Sequence, residues 1–344
     1  MKKLYITLTL LFTMLLGFGL QAQANTIEIL PTLNSKSTAQ NQIWVGTFQI
    51  VWNEFMDNFI KKPIKFKNYN SIVAKNLNKK TFKKTNISEN SYYTTYGIVS
   101  PNLKTQIETA IKEKFNETSD ILDQFNWDFN PQKIFVYAML KKDFKFITPF
   151  DKLADGGFGK NPKNIKYFGI NDNSNSETYN NIDILFFNND NDFAVKLITK
   201  SNDEVFLYRT NDNKTLDQIY SDLNKKTKKY KGNKNFTKND ELRVPEINLF
   251  LETSFKDVEG HYIKGTDFII EKTIETVDFK MNNEGVKLKS EAALSVKCMS
   301  LLPQKGRYFY FTDKFALFLI EKGQKTPYYA MEISDIEAIN KTGR

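Results

Sequence analysis

Thirteen consecutive residues near the C-terminus, residues 286–298, alternate strictly between two kinds of side chain. One set is apolar or small and consists of Val286, Leu288, Ser290, Ala292, Leu294, Val296 and Cys298. The other set is mostly charged and consists of Lys287, Lys289, Glu291, Ala293, Ser295 and Lys297. A period of two residues places these sets on opposite faces of an extended chain. The pattern therefore predicts a β-strand with one buried face, or a segment that is able to become one.

Helical spacing is found in three earlier stretches. Apolar residues in 44–59 recur every three or four positions, which predicts a helix with one broad apolar face that ends at Pro63. Ser100 and Pro101 are suited to begin a second helix as N-cap and first helical residue, and apolar residues then repeat every four positions. A third, shorter helical face is predicted over 216–223.

Strand patterns dominate the rest of the chain. The continuous apolar run 134–140 predicts a strand buried on both faces. Two short strands at 183–187 and 193–198, separated by turn-forming residues, predict a hairpin. Residues 151–164 are rich in glycine and are interpreted as a connection. The C-terminal third is strand-rich, with strands predicted at 242–251, 269–280, 308–311, 315–320 and 328–333.

The first 24 residues have the form of a secretory signal peptide. Lys2 and Lys3 precede an apolar run over 4–20, and an A-x-A cleavage site ends at Ala24. A membrane anchor is the alternative interpretation, but the run is short and contains two glycines. We therefore expect cleavage after Ala24, a secreted or periplasmic protein without stable membrane insertion, a flexible arm over 25–41 and a single domain over 42–344.

The composition excludes several function classes. With one Cys and one His, the chain has no internal disulfide and no His-rich metal site. His261 would have to be the only base of a serine or cysteine hydrolase, and no acid pair or metal cluster is recognisable, so we expect neither an enzyme nor a cofactor. Two carboxylates that meet only in space keep a hydrolase or a lectin open as a further alternative.

The basic charge does not by itself indicate a nucleic-acid partner. The net charge of +9 falls to +7 once the two lysines of the signal segment are removed. Asn accompanies Lys throughout the chain, which indicates a compositional bias, and we expect no nucleic-acid binding. The glycines at 156–159 lack the spacing of a phosphate-binding loop.

Several segments follow one another in a recognisable order. Residues 101–122 combine a helix with a short exit, and 135–151 combine a strand with a following Pro-Phe-Asp. Leu242-Arg-Val-Pro245 enters a strand, Asn282-Asn283-Glu284-Gly285 precedes the alternating segment, and 311–331 contain F-x-x-x-F, a polar turn and a last strand. Over roughly residues 100–333, this ordered set resembles the serpins, the serine protease inhibitor superfamily.

The resemblance implies an α+β fold that is serpin-like, with a large mixed β-sheet, packed helices and a smaller C-terminal β-barrel or sheet. It is similar to divergent bacterial-type members with a reduced N-terminal helical region, because only residues 62–100 separate the first two helices. It also implies a mechanical function. An exposed reactive-centre loop offers a bond to an extracellular serine or cysteine protease and then inserts into the main sheet as a new strand.

The resemblance assigns candidate site residues by position. The hinge of the loop would consist of Asn283, Glu284, Gly285, Val286 and Leu288. The reactive bond would join Met299, the fourteenth residue after Gly285, to Ser300. A Met at that position would suit an elastase- or subtilisin-like protease with an apolar pocket.

The chain also departs from the serpin pattern. Lys287, Lys289 and Glu291 interrupt a hinge that is usually small and uncharged, and the usual main-sheet His is absent because His261 lies elsewhere. These departures leave open a non-inhibitory binding or structural protein of the cell envelope, with residues 286–298 permanently in the sheet. The single Cys298 of an exported protein could pair with a thiol of a partner. It lies on the apolar set of the strand pattern, and burial on that inward phase is the outcome that we expect.

Overall fold

The computed structural model describes residues 27–287 and 306–339. Its strands in chain order are β1 (Ile27–Ile29), β2 (Asn41–Val45), β3 (Tyr92–Val99), β4 (Asn130–Leu140), β5 (Asp143–Lys145), β6 (Asp151–Phe158), β7 (Asn161–Ile170), β8 (Ile182–Asn189), β9 (Asp192–Ile198), β10 (Asp203–Arg209), β11 (Glu241–Pro245), β12 (Ile247–Thr253), β13 (Glu275–Met281), β14 (Gly285–Lys287), β15 (Tyr308–Tyr310), β16 (Phe315–Glu321) and β17 (Tyr329–Ile333).

A seven-stranded sheet in the order β1-β2-β17-β16-β10-β9-β8 forms the centre of the core. Every residue of β16 and β17 is buried. Apart from one buried glutamate in each, Glu321 and Glu332, these strands are apolar because neighbouring layers cover both of their faces. The second phenylalanine of F-x-x-x-F, Phe315, thus begins one of the most deeply buried strands in the described chain.

Three smaller sheets accompany it, in the orders β15-β11-β7-β6, β12-β13-β14-β5 and β3-β4. None of these described sheets closes into a barrel, so the small C-terminal element expected from the sequence is an open sheet. The predicted α+β class with one large sheet is confirmed.

The helices are α1 (Thr47–Phe55), which continues as a π-helical turn over Met56–Ile60, α2 (Ile72–Leu77), α3 (Pro101–Phe115) and α4 (Leu216–Lys229). Ser100 caps α3 as predicted, since its hydroxyl accepts a hydrogen bond from the Leu103 amide. Between the π-helical turn and α3, the helices of the described chain are the six-residue α2 and two 3-10 turns, and β3 follows them. None of these helices has both the length and the apolar character needed to cross a bilayer.

The β3–β4 pair lies between two helices. Leu103, Ile107 and Ile111 of α3 pack with Tyr137 on one face of the pair. On the other face, Ala138 belongs to the main core that also contains the apolar side of α1. Tyr137 and Ala138 are buried, but the other apolar residues of the run 134–140 are half-buried. Burial on both faces is thus only partly achieved, because one edge of β4 borders a cleft.

Several sequence predictions agree with these elements. The hairpin of β8 and β9, the strands after Leu242 and the helix from Leu216 all form. The first helix differs, because it begins at Thr47 and Trp44 lies in β2. The helical spacing of Trp44 is accidental, since a strand that is buried throughout also places Trp44 in the core.

Two other segments differ from their sequence interpretation. Residues 151–164 were interpreted as a connection, but β6 and β7 form a hairpin there, anchored by the buried Phe158 and Ile165. Part of the stretch expected as a flexible arm is built into the sheet, because β1 pairs in parallel with β2 and Leu30 is buried. In both segments the apolar residues are few and have no regular spacing, so the sequence predicted neither the β6–β7 hairpin nor the pairing of β1 with β2.

Candidate functional site

A cleft of about 1090 Å³ separates β4 from the region of β13. Phe48, Val51 and Trp52 of α1 line its floor. Of the described strands, β4 pairs only with β3. Strand β13 pairs along its whole length with β12, but it pairs with β14 only at Lys280 and Met281. Two strand edges therefore face each other across the cleft, and unpaired strand edges are templates for another strand.

The short strand β14 stands at one end of this cleft. It is antiparallel to both of its neighbours, with Val286 opposite Met281 of β13 and opposite Phe144 of β5. The exposed fraction of Val286 is 0%, and Met281 and Phe144 are buried beside it. The first residues of the alternating segment thus lie in the sheet as an additional strand between two others.

Residues 282–285 reverse the chain between β13 and β14. The Asn282 side-chain oxygen accepts hydrogen bonds from the amides of Glu284 (3.0 Å) and Gly285 (3.3 Å). The Asn283 amide side chain donates to the Phe150 carbonyl at 3.2 Å. Asn and Gly suit such a turn because Asn hydrogen-bonds the backbone locally and Gly permits close approach.

Gly285 is required at its position by the approach of β5. A Cβ atom there would lie 2.2 Å from the Phe144 carbonyl oxygen and 2.7 Å from the Lys145 Cα. Both obstacles are backbone atoms of a paired strand and are unable to move aside independently. The absence of a side chain at Gly285 therefore allows β14 to lie against β5.

A buried ionic cluster lies where β4 turns into β5. The Lys142 ammonium is 2.8 Å from Asp203 Oδ1 and 2.5 Å from Glu321 Oε1, and all three side chains are buried. Tyr328 donates to Asp203 at 3.0 Å, and the Ser88 amide donates to Glu321 at 2.8 Å. The cluster ties the end of β4 to β10 and β16 of the large sheet.

The cluster also sets the protonation of Glu321. Burial alone would raise the pKa of this carboxyl, but hydrogen bonds from Lys142 and Ser88 outweigh burial and hold the pKa below its ordinary value. Burial, with the nearby Asp203 and Glu321 charges, raises the pKa of the Tyr328 hydroxyl well above its ordinary value. The Glu321 carboxylate is therefore held charged beside Lys142.

Glu275, the first residue of β13, is a buried acid at the cleft wall. Its Oε1 accepts a hydrogen bond from the Phe48 amide at 3.0 Å, at the start of α1. Its Oε2 has no hydrogen-bond partner among the described residues. Burial raises the pKa of Glu275 to about 8, although the Phe48 amide acts in the opposite direction.

A segment after α3 crosses the outer side of the cleft. Gln124 donates to the Glu252 carboxylate at 2.6 Å, and Lys272 donates to the Gln124 carbonyl at 3.0 Å. The Lys272 ammonium also lies 5.0 Å from the centre of the Phe125 ring. These contacts join the β4 side of the cleft to the β12–β13 side.

The structure brings four of the predicted site residues together. Asn283, Glu284, Gly285 and Val286 form the turn and the start of β14. Leu288, Met299, Ser300, Cys298 and the signal segment 1–24 lie outside the described residues.

Sequence analysis missed Glu275 and Lys142. The strand predicted over 269–280 begins only at Glu275 in the structure, and the buried residues of β13 are the odd-numbered ones. The order Glu275-x-Val277-x-Phe279-x-Met281 is a signal that would have placed this acid on the buried face.

Other candidate chemistry is weaker. The His261 ring stacks on Tyr69 with ring centres 3.8 Å apart. In the part of the chain that the structure describes, no group of three His, Cys, Asp or Glu side chains is arranged to hold a metal ion.

No family model matches the sequence, and no curated protein matches it. Solved serpin structures do match the fold. Tengpin, a thermophilic serpin in its native state, aligns with a TM-score of 0.50 and 11% identity, covering 88% of this chain and 90% of Tengpin. Serpin48 of the insect Tenebrio molitor aligns with a TM-score of 0.40 and 12% identity, covering 86% and 75% of the two chains.

Human thyroxine-binding globulin, complexed with thyroxine, aligns with a TM-score of 0.43 and 9% identity, covering 73% of this chain and 77% of that one. In another thyroxine-binding globulin structure, the chain spans 64% of that protein's length, just under two thirds. Together with the sheet order, the match to Tengpin shows a mixed α+β protein built around a large sheet. The chain has the serpin fold.

Proposed function

We propose that the chain is an exported serpin-like inhibitor of an extracellular serine or cysteine protease, with the segment after Gly285 as its reactive-centre loop. The observation that carries the proposal is β14, which enters the sheet antiparallel to β13 and β5 at the end of an open cleft. The first residues of the loop thus already have the pairing that an inserting strand needs.

The register of β14 extends into the cleft without adjustment. Lys287 lies opposite Lys280, and Val286 lies opposite Met281. The same register, continued along β13, would set Leu288 opposite Phe279, Ser290 opposite Val277 and Ala292 opposite Glu275. Because directly opposed residues of antiparallel strands share a face, the apolar set of the alternating segment would point inward.

The cleft supplies the driving force for such an insertion. The edges of β4 and β13 that face it present backbone groups that a new strand would pair on both sides. Burial of the inward apolar side chains over α1 would add about 25 cal/mol for each Å² of apolar surface removed from water. The state before insertion is therefore the less stable one, as a mechanical inhibitor requires.

The reactive bond that the loop offers to the protease joins Met299 to Ser300. A Met side chain fits an apolar specificity pocket, so elastase- and subtilisin-type enzymes are the proteases to test first. After cleavage, the residues up to Met299 would be free to pair along the cleft.

The chain contains a matched pair of residues for the test. Ala292 belongs to the inward set and its neighbour Ala293 to the outward set. We expect the wild type and Ala293→Arg to form a complex with the protease that resists denaturant, and the cleaved forms to gain heat stability. Ala292→Arg should be cleaved without either effect, since an Arg there would be buried beside β13. Cleavage of all three without complex or stabilisation would refute inhibition.

A second candidate is a non-inhibitory protein of the cell envelope whose residues 286–298 lie permanently in the sheet. The complete burial of Val286 between two strands favours it. Under this candidate, the intact protein already has a high melting temperature, and cleavage leaves that temperature unchanged.

Export rests on the N-terminal segment. We expect the protein recovered from the medium or the periplasm to begin at Asn25, which N-terminal sequencing measures. A chain that retains Met1 in the cytoplasm would contradict export.

A further inference from the structure

Glu275 occupies the position where an inserted strand would meet the start of α1. It lies on the buried face of β13, lines the cleft, and is paired with Thr253 of β12 on its other side. Only one of its oxygens is hydrogen-bonded by a described residue, the Phe48 amide. A buried carboxylate that accepts one hydrogen bond is poorly compensated in its charged form.

The charged groups around the cleft are engaged with one another. Lys133 pairs with Glu271 at 2.9 Å, Lys141 with Glu117 at 2.8 Å, and Lys256 with Glu259 at 2.6 Å. The other titratable groups lining the cleft are Asp120, Tyr137, Asp267, Lys272 and Asp278. The first turn of α1 contributes no acidic side chain.

None of these groups accounts for the titration of Glu275. Burial is the main cause of its raised pKa, and the Phe48 amide is the one opposing contribution. Its protonation state therefore depends on how much water reaches the cleft wall.

We propose that the protonation state of Glu275 controls how readily the cleft takes up a strand, with the neutral carboxyl favouring uptake. The inference rests on the proposed insertion of the segment after Gly285 and assigns a regulation to that same site.

The direction follows from solvation. A strand that fills the cleft would remove water from the wall around Glu275, and the residue opposite it in the extended register, Ala292, carries only a methyl group. The carboxylate is itself buried, but filling the cleft replaces the water beyond it by apolar protein and lowers the polarisability around it. Filling therefore costs more when Glu275 is charged, because the charge gains no partner in exchange. By linkage, a protonated Glu275 is the form that the filled cleft prefers.

The test measures uptake of a synthetic peptide with the sequence of residues 288–298 by the intact protein. Trp52 and Trp127 line the cleft, so their fluorescence reports on uptake. With a pKa of about 8, the neutral fraction, and with it the uptake rate, is expected to fall about tenfold between pH 7 and pH 9. The variant Glu275→Gln, which is neutral at every pH, should lose this difference while its Oε1 still accepts from Phe48.

Glu271→Gln is the matched control, because it removes an acid that lines the same cleft but is exposed and paired with Lys133. It should keep the wild-type pH profile. Titration of the peptide itself affects all three proteins equally and cancels in the comparison.

Equal pH profiles for the wild type and Glu275→Gln, with uptake in both, would overturn the role of Glu275 and leave the proposed insertion intact. Failure of both proteins to take up the peptide at pH 6, with circular dichroism showing both folded, would overturn the insertion and the regulation together.

Discussion

Replacing Lys142 by Met is expected to destabilise the protein strongly. The Lys142 ammonium is the cation shared by Asp203 and Glu321, and the exposed fractions of these three side chains are only 7%, 7% and 5%. A Met of similar length fills the space but leaves two acids facing each other without that cation. The remaining donors, Tyr328 and Ser88, are neutral.

The magnitude follows from the burial of the acids. Removing one member of a buried ion pair costs about 4 kcal/mol, because the partner left behind is a desolvated charge. In a protein of this size, such a loss lowers the melting temperature by about 8 °C. The variant should also lose the stabilisation that the lowered pKa of Glu321 supplies.

The sign of the pH dependence is fixed by that lowered pKa. A carboxyl whose pKa is lower in the folded than in the unfolded protein stabilises the fold above its unfolded pKa, and this contribution disappears as the pH falls through the folded value. Acid should therefore destabilise the wild type through Glu321, whereas Lys142→Met should lack this part of the acid response.

Urea unfolding followed by circular dichroism, at pH 7 and at pH 4, measures both effects. Lys141→Met is the matched control, since Lys141 pairs with Glu117 at 2.8 Å but its side chain is 25% exposed. Its loss should cost less than about 1 kcal/mol. If Lys142→Met were no less stable than Lys141→Met, the cluster would contribute nothing and the reasoning from burial would be refuted.

Two further substitutions test Gly285 and the proposed reactive bond at Met299. Gly285→Ala should displace β14 from β5, because the new Cβ would meet the Phe144 carbonyl oxygen at 2.2 Å. Amide hydrogen exchange over 285–287 should therefore become faster, whereas the control Glu284→Ala, which changes an exposed side chain, should leave it unchanged. Unchanged protection of these amides in Gly285→Ala would contradict the tight fit. Met299→Arg should transfer complex formation from elastase-type to trypsin-type proteases, and retention of the original target in a gel assay would place the reactive bond elsewhere.

Local patterns predicted elements whose own sequence carries the physical signal. The Ser100 cap with Pro101 set the start of α3, and turn-forming residues between two apolar runs set the β8–β9 hairpin. The order of segments predicted the serpin fold, and the turn over 282–285 leads into β14 beside β13.

Other features depended on contacts that are distant in sequence. Trp44 has helical spacing to Phe48 but lies in β2, because its strand pairs with β17 some 285 residues later. Lys142 looked like the polar end of a strand, since its partners Asp203 and Glu321 are far along the chain. The hydrogen bond of Glu275 could not be found from its local sequence, because the Phe48 amide that donates it is 227 residues away in the chain.

The most direct measurement uses Cys298, the one thiol of the chain. Its reaction with a bulky thiol reagent is followed before and after cleavage at Met299–Ser300. If the loop enters the cleft only after cleavage, the Cys298 thiol should be reactive in the intact protein. After cleavage it should react at least about tenfold more slowly, because the inserted strand buries it. Equal reactivity before and after cleavage would contradict insertion on cleavage. A thiol that reacts fast in both forms would mean that the segment stays outside the sheet, and one that reacts slowly in both would mean that it lies there permanently.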